Sequence, residues 1–258
     1  LAAAAVNALQ IDPERSVLLG LEAMQAADTL EARNALHQAL PELHSVRTIA
    51  AHGSGGSPGV AYNPDGKLLA SIGVDGAARV WDAQTGELVR TLPGDPDAIG
   101  YDIAFSPDGK LLAGTWLSQV LVWDAVSGSL RARISGSPVG MGSTDRLAFS
   151  PDSAQLAVAN LDGEPAVIEA DSGRVLLALT GHAGVTDGLA YSPDGKRLAT
   201  GDSNGSVKIW DAATGQELTE LAHGGWVHGL AFSPDGRNLA AAGEDGRHRP
   251  ASRVVDRG

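Results

Sequence analysis

The chain has 258 residues, of which 43% are hydrophobic and 4% aromatic, so a folded body with a substantial buried core is expected. Its formal charge of −12 at pH 7 argues against nucleic acid as a partner, because phosphate contacts need clustered Lys and Arg. The absence of cysteine excludes disulfides, zinc–thiolate sites and thiol catalysis.

No apolar run in the sequence approaches the length that spans a membrane. The apolar start at residues 1–6 is too short for a signal peptide and lacks a basic flank. We therefore expect a cytoplasmic protein without membrane contact. The first residue is Leu1 rather than Met, which suggests a fragment of a longer protein.

Residues 1–44 differ in composition from the rest, being rich in Ala and Leu and free of Trp, Phe and Tyr. Asp12 is suited to cap a helix whose first residue is Pro13. A second helix is predicted to begin at Asp28 and to end at Pro41. The pattern predicts a short α-helical connector over residues 1–44.

Five copies of one motif follow, each an aromatic residue, a small polar residue, Pro and Asp. The prolines recur every 41 to 44 residues, which is the period of a four-stranded propeller blade. One such blade cannot bury its apolar faces alone, so the copies must stack. The five motifs are Tyr62-Asn63-Pro64-Asp65, Phe105-Ser106-Pro107-Asp108, Phe149-Ser150-Pro151-Asp152, Tyr191-Ser192-Pro193-Asp194 and Phe232-Ser233-Pro234-Asp235.

The first copy shows how one period yields four antiparallel strands. Apolar strand patterns at residues 59–62, 67–72, 78–81 and 87–92 are separated by turn sequences. The fixed φ of Pro64 suits a turn, and Gly66 occupies the last position of that turn. Asp75-Gly76 is a typical two-residue hairpin sequence.

The repeats resemble the WD40 family of β-propellers. Trp-Asp dipeptides at Trp81, Trp123 and Trp210, and a Gly-His at His182, stand where that family places them. The resemblance implies an all-β fold over residues 45–258, with about four and a half blades in an incomplete arc preceded by the α-helical segment. The implied blades are 58–92, 101–134, 145–179, 187–221 and a partial one at 228–258.

Several copies depart from this pattern. The third has Ile168-Glu169 for Trp-Asp and Ser153 for the turn glycine, so it should be the least regular blade. The tail after Gly246 is basic and lacks Trp-Asp, which predicts either a frayed tail or a damaged end of the repeat. Residues 46–49 resemble a fourth strand and are expected to complete the fifth blade or a missing one.

The resemblance also implies buried hydrogen-bond networks within blades. A His, a hydroxyl and an acid could instead suggest a catalytic triad, but recurrence in separate repeats favours a structural role. We therefore predict no catalytic, cofactor or metal residues, and interpret the Asp of each Pro-Asp as a turn former rather than a calcium ligand. The network residues are His52, Ser71, Asp75, Trp81, Trp123, His182, Thr200, Asn204 and Trp210.

Function must then reside on a surface, and residues that differ between repeats mark a candidate rim. Exposed aromatic side chains are typical anchors for partners. The candidate partner-binding residues are Trp116, Met141, Asp202, Trp226 and His228.

Residues 1–44 more loosely resemble the helical connector ahead of propellers in large bacterial signalling proteins. The resemblances together predict a scaffold or sensor that binds a protein or peptide and needs no cofactor. A propeller enzyme, such as a metal-dependent lactonase or a hydrolase, and a fragment without independent function are the alternatives. Open propeller edges would also permit self-association.

Overall fold

The structure is a computed structural model, which describes residues 49, 51–52, 59–116, 119–135, 146–161, 164–244 and 250–257. The chain divides into two compact units, Leu1–Ile49 and Ala50–Gly258, and the second contains all the strands given below. The predicted connector at residues 1–44 and the predicted strand at residues 46–48 lie outside the described residues. Within the described part, no helix has the length and apolar character needed to cross a membrane.

Five antiparallel sheets follow one another along the chain, each formed by consecutive strands. The first four sheets have four strands, and the fifth has three among the described residues. We call these sheets blades 1 to 5. Their strands are β1 Gly59–Tyr62, β2 Leu68–Ile72, β3 Ala78–Asp82 and β4 Leu88–Leu92 in blade 1; β5 Gly100–Phe105, β6 Leu111–Trp116, β7 Gln119–Asp124 and β8 Leu130–Ser135 in blade 2; β9 Leu147–Phe149, β10 Gln155–Leu161, β11 Glu164–Glu169 and β12 Val175–Ala178 in blade 3; β13 Thr186–Tyr191, β14 Arg197–Asp202, β15 Ser206–Asp211 and β16 Glu217–Ala222 in blade 4; and β17 Val227–Phe232, β18 Asn238–Glu244 and β19 Pro250–Arg257 in blade 5.

The Pro-Asp motif forms the turn between the first and second strands of each blade. In blade 2, the Ser106 hydroxyl donates to Asp108 Oδ1 at 2.7 Å and accepts from the Leu111 N–H at 2.9 Å. The same pair of contacts recurs at Ser150, Ser192 and Ser233. This side-chain bridge fixes both ends of the turn, which explains why the motif repeats.

Successive blades pack face to face, with the first strand of one blade against the first strand of the next. We call the face that contacts the preceding blade the leading face and the opposite one the trailing face. Between blades 1 and 2, Ile72 and Val80 of the trailing face meet Leu112 and Trp123 of the leading face in one apolar cluster. Equivalent clusters join blades 2 and 3, 3 and 4, and 4 and 5. The described residues therefore form the all-β, propeller-type arrangement that the repeats predict.

Blade 3 has irregular strands, in line with the irregularity that its sequence predicts. Strand β9 has three residues and β12 has four, and the pairing of β10 with β11 shifts after Val158. Ser153 occupies the glycine position of the turn with φ of 65°, a left-handed conformation that glycine adopts more readily.

Blade 5 departs from the predicted frayed tail. Strand β19 pairs with β18 from Glu244↔Pro250 to Asn238↔Arg257, so a third strand forms without the Trp-Asp dipeptide. Backbone pairing does not require that side chain, because the ladder is made by N–H and C=O groups alone.

We predict that Ser106→Ala raises the pKa of Asp108. The hydrogen bond from Ser106 is the largest cause that lowers this pKa, to about 2. The lowered pKa stabilises the fold above about pH 4, and that contribution is lost as the pH falls from about 4 towards 2. NMR titration of the Asp108 carboxyl carbon measures the change.

The control is Ser127→Ala, since Ser127 binds the carboxylate of Asp124 instead. It should leave the pKa of Asp108 unchanged. An unmoved pKa in Ser106→Ala would contradict the role given to this hydroxyl.

Candidate functional site

Blade 1 contains a buried chain of hydrogen bonds that ends on a carboxylate. The indole Nε1 of Trp81 donates to Ser71 Oγ at 2.8 Å, and Ser71 Oγ lies 2.8 Å from His52 Nε2. His52 Nδ1 lies 2.8 Å from Asp75 Oδ1. With Nδ1 protonated, the indole donates to the hydroxyl, the hydroxyl to the imidazole and the imidazole to the carboxylate. Arg79 Nη1 also lies 2.5 Å from Nδ1, and in this tautomer it is the Asp75 carboxylate that accepts from both groups.

The Asp75 carboxylate is also paired with Arg79, whose Nη1 lies 2.7 Å from Asp75 Oδ2. Burial raises the pKa of Asp75, but the hydrogen bonds from His52 and Arg79 outweigh it and hold that pKa below its ordinary value. The acid at the end of the chain is therefore ionised at neutral pH.

Blade 4 repeats this arrangement with one different residue from the predicted set. Trp210 Nε1 donates to Thr200 Oγ1 at 2.7 Å, and Thr200 Oγ1 lies 2.6 Å from His182 Nε2. The acid is Asp202, whose Oδ2 lies 3.1 Å from His182 Nδ1. The prediction that Asn204 takes the place of Asp75 in this network is wrong, because that residue is exposed and its backbone N–H, not its side-chain amide, contacts Asp202 Oδ1.

Asp202 was also predicted as a rim residue, and this too is wrong. Its side chain is fully buried and accepts from the N–H groups of Gly184 and Ser206 as well as contacting His182. The carboxylate thus joins the loop before blade 4 to the hairpin between β14 and β15. Its burial leaves no surface for a partner.

These networks share the residue types of a catalytic triad but not its accessibility. The hydroxyls of Ser71 and Thr200 are buried, and each already accepts from an indole N–H. A nucleophile needs an approach path for its substrate. The arrangement instead joins a loop, two strands and a hairpin in blade 1 and again in blade 4.

Blade 2 lacks this network although it keeps the indole. Gly114 stands at the hydroxyl position, paired with Ile103 in the ladder as Ser71 is paired with Val60. Trp123 is fully buried, and its Nε1 has no hydrogen-bond partner in the part of the chain that the structure describes. The prediction that Trp123 joins a hydrogen-bond network is therefore wrong, and the missing hydroxyl is the reason.

Trp116 is not on the rim, which corrects a second rim prediction. Its side chain is 1% exposed, packs edge-on against Trp123 with ring centroids 5.7 Å apart, and donates from Nε1 to the Gly76 carbonyl at 3.1 Å. It therefore fills the junction between blades 1 and 2. Met141, another predicted rim residue, lies outside the described residues.

Trp226 and His228 are the predicted rim residues that keep partial exposure. Their rings lie 5.0 Å apart at an angle of 31°, and the His228 side chain is 41% exposed. The indole Nε1 of Trp226 is buried and, within the described ranges, unpaired. We call these two residues the rim pair.

The rim pair adjoins a group of charged side chains at the beginnings of the first strands, which sequence reasoning missed. Asp187 is buried, and its two oxygens lie 2.8 Å from His228 Nδ1 and 3.4 Å from Arg146 Nε. Asp102 accepts from the Leu147 N–H at 3.0 Å, next to Arg146. We call Asp102, Arg146, Asp187 and His228 the inner-end cluster; it connects blades 2, 3, 4 and 5.

Irregular strand pairing accompanies this cluster. The register between first and second strands shifts between Gly100 and Ile103, between Thr186 and Gly188, and between Val227 and Gly229. An extra residue at a bulge redirects its side chain and breaks the simple alternation of faces. A comparison of the residues at the start of each first strand could have located this cluster from the sequence.

The electrostatics of Asp102 differ from those of the networks. Burial is the largest cause and raises the pKa of Asp102, although the N–H groups of Leu147 and Ile103 act in the opposite direction.

Within the described residues, no group of three or more His, Cys, Asp or Glu side chains is placed to hold a metal ion.

Comparisons with known proteins relate the repeats to an established family. The model described as "WD domain, G-beta repeat" matches residues 43–82, 86–124, 173–211 and 215–249, more than half of the chain. The matched segments leave out residues 125–172, which include most of the irregular blade 3.

Individual proteins show the same relationship. The chain is 31% identical over 152 residues to WD repeat-containing protein VIP3 of Arabidopsis thaliana, covering 55% of this chain and 47% of that protein. It therefore spans about half the length of this relative. The β-propeller domain of Cps50 (Swd1) from Myceliophteria thermophila has a similar structure, with a TM-score of 0.64 and 22% identity over 79% of this chain and 65% of the other. That likeness shows the fold.

We predict that Trp210→Phe destabilises the protein more than Trp123→Phe, by about 1 kcal/mol. Both substitutions shrink a buried ring, but only the first removes a hydrogen bond, the one to Thr200. Urea unfolding of both variants measures the difference in free energy. Equal losses would show that the indole contributes to the network by packing alone.

Proposed function

Because this chain belongs to the WD40 family of β-propeller repeats, we propose that it is a non-catalytic scaffold that binds a protein or peptide at the rim pair. Proteins built from these repeats generally serve as scaffolds for other proteins. The proposal assigns the partner to the side of the arc where the first strands begin, next to the inner-end cluster.

The partial exposure of Trp226 beside His228 is the observation that carries the proposal. The indoles of Trp116, Trp123 and Trp210 are buried between blades, and that of Trp81 is 7% exposed and bonded to Ser71. Tryptophan contributes large contact area at low entropic cost and is enriched at the energetic centres of interfaces. Its unpaired Nε1 is a donor that a partner carbonyl could use after a small movement of the ring.

The inner-end cluster gives the rim pair a fixed position. Asp187 is buried and paired with both His228 and Arg146. The carboxylate fixes the imidazole through Nδ1, while 41% of the His228 side chain remains exposed to a partner. A preorganised side chain loses less entropy on binding than a free one.

Charge favours a partner with basic character. The chain has a formal charge of −12, and Asp187 and Glu244 both lie near the His228 ring, at 2.8 and 3.9 Å. Complementary charge accelerates association and discriminates against acidic competitors. A role in a bacterial signalling protein, suggested by residues 1–44, and a location in the cytoplasm are parts of the same proposal. The matched relative is a plant protein.

We predict that Trp226→Ala weakens binding of basic peptides selected from a library of short synthetic sequences, while the fold persists. Truncation of an interface tryptophan costs about 2 kcal/mol or more, or roughly thirtyfold in affinity. Fluorescence anisotropy of labelled peptides measures the affinity, and circular dichroism reports the fold.

The matched control is Leu218→Ala, another exposed apolar truncation, on the outer strand β16. It should leave peptide affinity unchanged. Equal loss in both variants, or peptides that bind both fully, would exclude the rim pair as the binding site.

The enzyme alternative is tested on the same material. Metal content and hydrolase or lactonase turnover of the purified chain should both be at background. Turnover that follows metal content would overturn the scaffold proposal in favour of a propeller enzyme.

A further inference from the structure

A groove lies between blades 1 and 2, at the opposite end of the first strands from the rim pair. Its volume of about 490 Å³ is within the range of ligand-binding pockets. The lining includes Leu68 and Val89 of blade 1 and Val126 of blade 2. Val89 is 45% exposed and Val126 is 76% exposed. Two successive blades and the turns that join their strands bound the groove, and all the lining residues are among those the structure describes.

The exposed Val126 is held in place although it lies in a turn. Its N–H donates to Asp124 Oδ1 at 3.2 Å, and its carbonyl oxygen accepts from the Arg90 guanidinium of blade 1. The bond from Arg90 crosses between the blades, so it ties one wall of the groove to the other. An aliphatic side chain fixed in this way loses little entropy when a partner covers it.

Val126 is the aliphatic exception at its position in the repeat. The same place in the turn between third and fourth strands holds Gln84 in blade 1, Asp171 in blade 3 and Ala213 in blade 4. The N–H groups of Gln84 and Ala213 bond to the preceding Asp as that of Val126 does. The turn therefore does not require valine, and the exposed side chain has another use.

The groove between blades 3 and 4 has the same location and a similar volume of about 440 Å³, but its lining is more polar. Gln155 takes the place of Leu68 at the start of the second strand, and Ala213 takes the place of Val126. The chain thus contains one groove with larger aliphatic side chains and a more polar counterpart two blades further on. This contrast marks the first groove as specialised.

The lining of the first groove also includes two carboxylates, those of Asp65 and Asp108. The turns that carry them lie side by side, since a Cβ on Gly109 would lie 3.5 Å from Cδ of Pro64. The hydrogen bond from Ser106 is the largest cause that lowers the pKa of Asp108, to about 2, so this acid is ionised at neutral pH. The groove therefore combines an apolar wall with negative charge.

Each carboxylate has an exposed lysine beside it. Lys67 Nζ lies 3.4 Å from Asp65 Oδ2. Lys110 Nζ lies 3.1 Å from Asp108 Oδ2. Exposed pairs of this kind contribute little stability and are screened by salt, so a cation of a partner can replace either amine. The guanidinium of Arg90 is already bonded to a carbonyl, and the two carboxylates are the charges left for a partner.

We propose that this groove is a second peptide-binding site, for a partner segment in which a branched aliphatic side chain is followed by Lys or Arg. The aliphatic side chain packs between Val89 and Val126 and contacts Leu68. The basic residues pair with Asp65 and Asp108, and the formal charge of −12 favours the approach of such a segment. The site is independent of the rim pair, so one chain can hold two partners at opposite ends of its blades.

The experiment measures the binding of synthetic peptides to the full chain by fluorescence anisotropy. The probe is a set of short labelled peptides in which Leu is followed by Lys-Lys in an otherwise uncharged sequence. Matched peptides carry Glu in place of Lys, or Asn in place of Leu. The Leu-Lys-Lys peptides should bind, and both matched sets should bind about tenfold more weakly or worse.

Val126→Gln tests the groove itself, because glutamine stands at the equivalent position of blade 1 and therefore suits the turn. It should weaken binding about tenfold through loss of the apolar contact. Asp65→Asn should weaken binding about threefold at low salt and less at high salt, where charge is screened. The matched control is Ala213→Gln, which places the same residue in the groove between blades 3 and 4 and should leave the affinity unchanged.

Three results would overturn the proposal: the wild type binds no Leu-Lys-Lys peptide, the Glu peptides bind as tightly as the Lys peptides, or Val126→Gln and Ala213→Gln have equal affinities. The urea midpoint of each variant checks the fold. Leu68→Gln is a second groove variant, since blade 3 has Gln155 at that position, and it should weaken binding to a similar extent.

The rim pair is distinguished in the same assay. A loss of binding in Trp226→Ala, with none in Val126→Gln, would place these peptides at the rim pair. That result overturns the second site and leaves the proposed function standing.

Discussion

Covering the two apolar faces of each sheet is the constraint on which this structure depends. A four-stranded blade has a leading and a trailing face, and the strands bury Leu112 and Trp123 on one and Ala113 and Val122 on the other. No blade can cover both by itself, so each gains its stability from its neighbours. The free energy of folding is thus distributed over the interfaces between blades, where the largest buried side chains lie.

The sequence was sufficient to predict the repeat, the strands and the turns, because these follow from local rules. A Ser-Pro-Asp turn such as the one at Ser106 closes through bonds within six residues, and so its presence can be read directly. The acid of the blade 4 network was harder. Asp202 and Asn204 are two residues apart in one hairpin, and only the register of β14 and β15 decides which carboxylate or amide meets His182.

Trp116 shows a second limit of prediction from the sequence. At that position the other blades have small or polar residues, and this difference between repeats suggested an exposed anchor for a partner. The indole turns inward because the preceding blade leaves space for it: a Cβ on Gly94 would lie 2.7 Å from its ring, and Gly76 supplies the carbonyl acceptor. The inner-end cluster was missed for a similar reason, since Asp187 reaches Arg146 and His228 of other blades through strand irregularities that pattern rules do not include.

The buried indole of Trp123 has a consequence for how this molecule can be observed. An indole without a hydrogen-bonding neighbour, enclosed by aliphatic side chains and another ring, emits at shorter wavelengths than one in contact with water. Trp123 meets these conditions within the described residues, at the junction of blades 1 and 2. Because Gly114 supplies no hydroxyl, the fluorescence of Trp123 reports on this junction. Its emission shifts to longer wavelengths when the junction opens and water enters.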